Sequence, residues 1–158
     1  MSPRRLVRLA LGAGVLLTVA ACEKPSPAIT LVSSGHTTHF EAQQWCTGDQ
    51  VLVRGNECPG TGPKVLQIVR AAGGDQVGID VDTELTSPGW YVFDVDTGQA
   101  VLGISSSHYR TFLADFRSTK VPGVQQLEVR TVDHVPTSDT DVPKVTGQWV
   151  FQVVAKVS

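Results

Sequence analysis

Between Gln76 and Asp82 apolar and polar residues alternate, with Val77, Ile79 and Val81 on one side and Gln76, Gly78, Asp80 and Asp82 on the other. An extended chain points successive side chains to opposite faces, so this segment predicts a strand with one face on a core and the other in water. The closing stretch 147–154 repeats the pattern with Trp149, Phe151 and Val153, and shorter versions lie at 29–32, 37–42, 64–70, 89–95, 99–104, 109–113 and 126–132. Turn residues separate these runs, among them Ser33-Ser34-Gly35, Pro59-Gly60-Thr61-Gly62-Pro63, Gly73-Gly74-Asp75 and Asp96-Thr97-Gly98. No segment sustains a helical period over about a dozen residues. The pattern predicts an all-β fold, an immunoglobulin-like antiparallel β-sandwich of about eight strands, with a small β-barrel as the alternative. The immunoglobulin spacing of Cys, Trp and Cys is absent, because Trp45 directly precedes Cys46 and Cys58 follows soon after. The likeness is architectural and brings no function with it.

The N-terminus has a different character. Arg4, Arg5 and Arg8 precede an uncharged, mostly apolar run from Leu9 to Ala21, the order of a secretory signal. As a helix that run reaches about 20 Å, short of the roughly 30 Å of a bilayer core. Its end, Val19-Ala20-Ala21-Cys22, resembles the lipobox of bacterial lipoproteins, in which small residues lead into a cysteine that is acylated and becomes the new N-terminus. The resemblance implies a signal peptide at 1–21, a lipidated tether at 22–28 and one β domain at 29–158, held by palmitate-type chains on the extracytoplasmic face of the cell membrane. Val19 stands where Leu is commonest, and an ordinary secretory signal cut nearby is the competing reading. Two or more acyl chains anchor far more firmly than one.

Cleavage after Ala21 removes three Arg and no acid, leaving 10 basic against 15 acidic residues and taking the net charge from −2 to −5. The remaining cations are scattered singly, which argues against nucleic acid and against a polybasic lipid-binding surface.

Three cysteines in an exported chain leave one over after pairing, and lipidation of Cys22 accounts for it. Cys46 and Cys58 then predict a disulfide across a segment rich in turn residues, worth about 2–3 kcal/mol. A metal site built on both thiols lacks the C-x-x-C spacing and needs histidines from elsewhere.

Several of these features together resemble a family of actinobacterial lipoproteins known as a domain of unknown function. The matching residues are Cys22, the pair Cys46 and Cys58, Val77-Gly78-Ile79-Asp80-Val81 followed by Gly89-Trp90-Tyr91-Val92, and Gly147-Gln148-Trp149-Val150-Phe151. The resemblance implies a membrane-anchored all-β domain and carries no activity, cofactor or catalytic residue.

Candidate chemistry is sparse. Asp80-Val81-Asp82-Thr83-Glu84 and Asp94-Val95-Asp96-Thr97-Gly98 form a near repeat whose carboxylates suit Ca²⁺ if two strand ends lie side by side, although neither fits an EF-hand loop. Solvent-facing acids on amphipathic strands are the plainer reading. The imidazoles of His36, His39, His108 and His134 form a transition-metal site only if two converge with a carboxylate such as Asp133. Ser105-Ser106-Ser107-His108 lacks the strand-to-helix turn of a nucleophile elbow, and Gly55 to Gly60 lacks the Lys and the helix of a phosphate loop. No paired acid and base or activated nucleophile can be assigned, so the expectation is a non-enzymatic module without a cofactor. Its expected partner is an envelope protein or polymer, met by the polar loops at 46–63 and 134–143, with Asp139 and Asp141 as candidate contacts. The alternative is a small-ligand or Ca²⁺-binding lipoprotein using Asp80, Asp82, Asp94 and Asp96.

Overall fold

In the computed structural model, residues 25–53, 58–117 and 119–156 are described. Cys22 and the signal segment lie outside them. Ten strands form: β1 (Ala28–Ser33), β2 (His36–Glu41), β3 (Gln44–Trp45), β4 (Gln67–Ala71), β5 (Gln76–Val81), β6 (Trp90–Asp94), β7 (Gln99–Ser105), β8 (Tyr109–Leu113), β9 (Val124–Val132) and β10 (Val145–Ala155). One 3₁₀ turn, Thr83–Thr86, links β5 to β6. The predicted strands are all present, and the two-residue β3 is an addition, too short to show a period.

The strands make two sheets. One has the order β2-β1-β5-β8; the other has six strands, β3-β10-β9-β6-β7, with β4 also paired to β10. Both are antiparallel except at β4, which runs parallel to β10 from Phe151↔Gln67 to Ala155↔Ala71. β3 and β4 therefore share one edge of the eleven-residue β10, β3 at its start and β4 at its end. The two sheets pack face to face as a sandwich and do not close into a barrel.

The alternation read from the sequence is the burial pattern. Ile29, Leu31, Val77 and Ile79 from one sheet meet Trp90, Val92, Leu127, Val129, Trp149, Phe151 and Val153 from the other, all of them fully buried. Complete burial of one such side chain is worth about 1.5–3 kcal/mol relative to exposure. The indoles inside are hydrogen-bonded as well: Trp90 donates to the Ser107 carbonyl at 2.7 Å and Trp149 to the Pro27 carbonyl at 3.1 Å. That second bond fixes where the chain enters the domain. Ser26 is itself buried, its amide donating to Thr61 Oγ1 at 2.8 Å while its hydroxyl accepts from the Thr61 amide at 3.1 Å. β1 begins at Ala28, one residue earlier than expected, and the packed chain begins two residues earlier still.

A hollow where two loops meet

The antiparallel course of β1, β9 and β10 brings the entry segment, the disulfide loop and the loop after β9 to one end of the sandwich. Cys46 and Cys58 are bonded, with Cα atoms 5.0 Å apart. The loop they close is joined to β10 by backbone bonds from Cys46 to the Thr146 carbonyl, 2.8 Å, and from Leu52 to the Val145 carbonyl, 2.7 Å. The opposite loop is pinned by the Asp133 amide donating to the Lys144 carbonyl at 3.0 Å. Between them lies a hollow of about 640 Å³ lined by Trp45, Asp49, Gln50, Asp133, Lys144 and Thr146 among others. A second hollow, about 380 Å³, shares Trp45, Thr47 and Gln50 with the first and is also lined by Ser26 and Thr61. Both volumes fall within the range of ligand pockets.

Trp45 occupies this position because Gly147 does. The two residues are paired between β3 and β10, and a Cβ on Gly147 would stand 2.6 Å from the Trp45 ring and 2.7 Å from Thr131 Oγ1. With no side chain there, the indole lies across the backbone, 5.9 Å from the Trp149 ring and tilted 58° to it. Trp45 is the one partly exposed tryptophan, since Trp90 and Trp149 are fully buried.

The 134–144 loop is held by an imidazole between two carboxylates. His134 Nδ1 lies 2.7 Å from Asp133 Oδ1 and Nε2 lies 2.6 Å from Asp141 Oδ1. Asp133 Oδ1 also accepts the Lys144 amide at 2.8 Å, and Asp141 Oδ2 accepts the Thr137 amide at 2.9 Å. Both ring nitrogens face acceptors, so the arrangement is satisfied by the imidazolium. The hydrogen bond to Asp141 and then that to Asp133 hold the His134 pKa above its ordinary value. The Lys144 amide lowers the pKa of Asp133, and the Thr137 amide followed by His134 lowers that of Asp141.

The predicted site residues fall in different places. Cys46 and Cys58 pair as expected. Asp80 lies on β5 in the four-stranded sheet and Asp82 directly follows that strand, whereas Asp94 and Asp96 close the β6–β7 hairpin of the other sheet. The structure does not gather these four into a Ca²⁺ cage: one carboxylate of each near repeat is engaged by the fold, Asp82 by the start of β1 and Asp94 by its own hairpin and Gln125. Asp82 accepts the Ala28 amide at 2.7 Å. Asp94 is buried, accepting the Asp96 and Thr97 amides at 2.9 Å each and Gln125 Nε2 at 2.8 Å. Gly98, at φ +72°, completes that turn. Among the described residues no group of three or more His, Cys, Asp or Glu side chains is arranged to hold a metal ion. His39 bonds Thr30 at 3.0 Å across the β1–β2 pair, and Asp133 meets His134 from the adjacent position.

Asp139 and Asp141 separate as well. Asp139 is exposed in the loop, while Asp141 ties the loop to His134 and Thr137. The sequence reading missed Trp45, Gln50 and Lys144 as lining residues and His134 as the centre of the loop. His134 between Asp133 and Asp141 is visible in the sequence, but no local rule places three loop residues in contact.

Searches for related proteins give no match to a family model, to a curated protein or to a solved structure. The sequence resemblance described above therefore contributes no family to the argument, and function rests on the geometry.

Proposed function

We propose that this chain is a membrane-anchored, extracytoplasmic lipoprotein whose β-sandwich serves as a non-enzymatic binding module of the cell envelope, capturing an envelope protein or polymer at the loop end. The observation that carries the reading is the convergence of the disulfide loop and the 134–144 loop on one hollow, beside the point where the chain enters the fold. The disulfide and the Asp133–His134–Asp141 contacts organise both walls in advance, which lowers the entropic cost of binding. Among the described residues that line the hollow, none pairs a nucleophile with a base, which favours capture over catalysis.

Lipidation at Cys22 sets the working distance. Since Ser26 is already packed, three residues separate the anchor from the domain, and the four steps from Cys22 to Ser26 span at most about 12 Å at roughly 3.1 Å per residue. The loop end then faces the bilayer surface, and its partner is a membrane-proximal one. Cross-linking of the lipidated protein in its native envelope, followed by mass spectrometry, tests this with Cys22→Ala as control. One dominant partner lost in the control is the expected outcome. The same partners in both forms would remove the anchor from the account.

A further inference from the structure

At the opposite end, about 20 Å along the strands at roughly 3.3 Å per residue, a notch lies between the edges of the two sheets. Its volume is about 290 Å³ and it is lined by His36, Thr37 and Thr38 of β2, Ile68, Val69 and Arg70 of β4, and Lys156 after β10. Three cationic or protonatable groups and two hydroxyls line it, and among the described residues no carboxylate does. In a mature chain with 10 basic against 15 acidic residues this is a local inversion of charge.

Three cations elsewhere are neutralised within the fold. Arg117 is paired with Asp115 at 2.6 Å, Arg130 with Glu128 at 2.5 Å and Lys120 with Asp96 at 3.8 Å. Among the described residues, the side chains of His36, Thr37, Thr38, Arg70 and Lys156 take part in no hydrogen bond or ion pair. Asp75, at the neighbouring turn, accepts from Ser34 at 3.2 Å and from the Ala72 amide at 2.8 Å, and it does not line the notch.

We propose that this notch is a binding site for a phosphate group carried by an envelope polymer or a lipid headgroup. Arg70 on β4 offers a planar fork of donors, Lys156 after β10 a point charge, and His36 with the two threonines of β2 further donors, so three segments contribute. Donors presented by three separate segments suit a tetrahedral oxyanion with three or four accepting oxygens better than a planar carboxylate. The site is distinct from the loop-end hollow, and its test does not depend on the proposed anchor.

The test is a titration of the domain with inorganic phosphate, a glycerol phosphate oligomer, acetate, and vesicles of phosphatidylglycerol or phosphatidylcholine, read by amide chemical shifts. Saturable shifts at Thr37, Thr38 and Arg70 with the phosphate-bearing probes are expected. They should weaken as salt rises and fall about tenfold in affinity in an Arg70→Gln, Lys156→Gln double variant with unchanged melting temperature. Response to the oligomer assigns the polymer, and response to phosphatidylglycerol vesicles without the soluble probes assigns the headgroup; either supports phosphate recognition. Equal response to acetate, shifts elsewhere on the domain, or shifts untouched by the double variant would overturn it.

Discussion

His134 shows how much a single side chain organises at the loop end. Its folded pKa is raised, so its contribution to holding the loop is fully present below the unfolded value of about 6.5 and is lost as pH rises through the folded value. Asp133 and Asp141 have lowered values, so theirs is present above about 3.9 and is lost as pH falls through the folded values. The loop is therefore tightest between those limits. With the intrinsic base-catalysed rate divided out, protection of the Thr137 and Lys144 amides from hydrogen exchange should be greatest in that window and fall on the alkaline side. In His134→Ala that alkaline fall in protection should vanish, because protection is already low at neutral pH. The same contacts separate the two candidate partner residues: Asp141→Lys should loosen the loop itself, whereas Asp139→Lys should leave exchange unchanged and alter partner capture alone. Gly147→Ala is the corresponding change beneath Trp45. The new methyl displaces Trp45, with an expected loss of about 1–3 kcal/mol in denaturant unfolding and a red shift of tryptophan emission. An unchanged spectrum would mean that Trp45 is not held by that contact.

At the level of elements, the strands were legible because period two survives wherever one face is buried. Gln76 to Asp82 and Gly147 to Val154 were readable for that reason. β3 was not, since two residues have no period, and its place is fixed by β10 and Gly147 instead. Nor was the parallel pairing of β4, which depends on the course of the chain around the disulfide loop. The acidic repeats misled for a related reason: equal spelling at two strand ends says nothing about which sheet each strand joins, and β5 and β6 join different ones. Asp94 then serves its own hairpin. Asp94→Ala strips the partner from two backbone amides and Gln125, and should lower stability by about 1–3 kcal/mol. Ca²⁺ should leave the melting temperature of either protein unmoved. For the disulfide loop, replacing Cys46 and Cys58 by Ser should cost about 2–3 kcal/mol in urea unfolding while the circular dichroism of the sandwich persists.

For the whole molecule, the core explains stability and the two ends carry the chemistry. Long loops, a partly exposed tryptophan and the chain entry gather at one end, and the notch lined by His36, Arg70 and Lys156 lies at the other. Sequence reading reached the two loops but not their proximity, because strand order decides which loops are neighbours. The central claim is that the entry end is the capturing surface. Photo-cross-linking residues placed at Gln50 and Asp139, with Tyr91 on the outer sheet face as the comparison position, test it in the native envelope. The account predicts one shared adduct from Gln50 and Asp139, absent from Tyr91 and lost in Cys22→Ala. An adduct from Tyr91 with none from the two loop positions would contradict it.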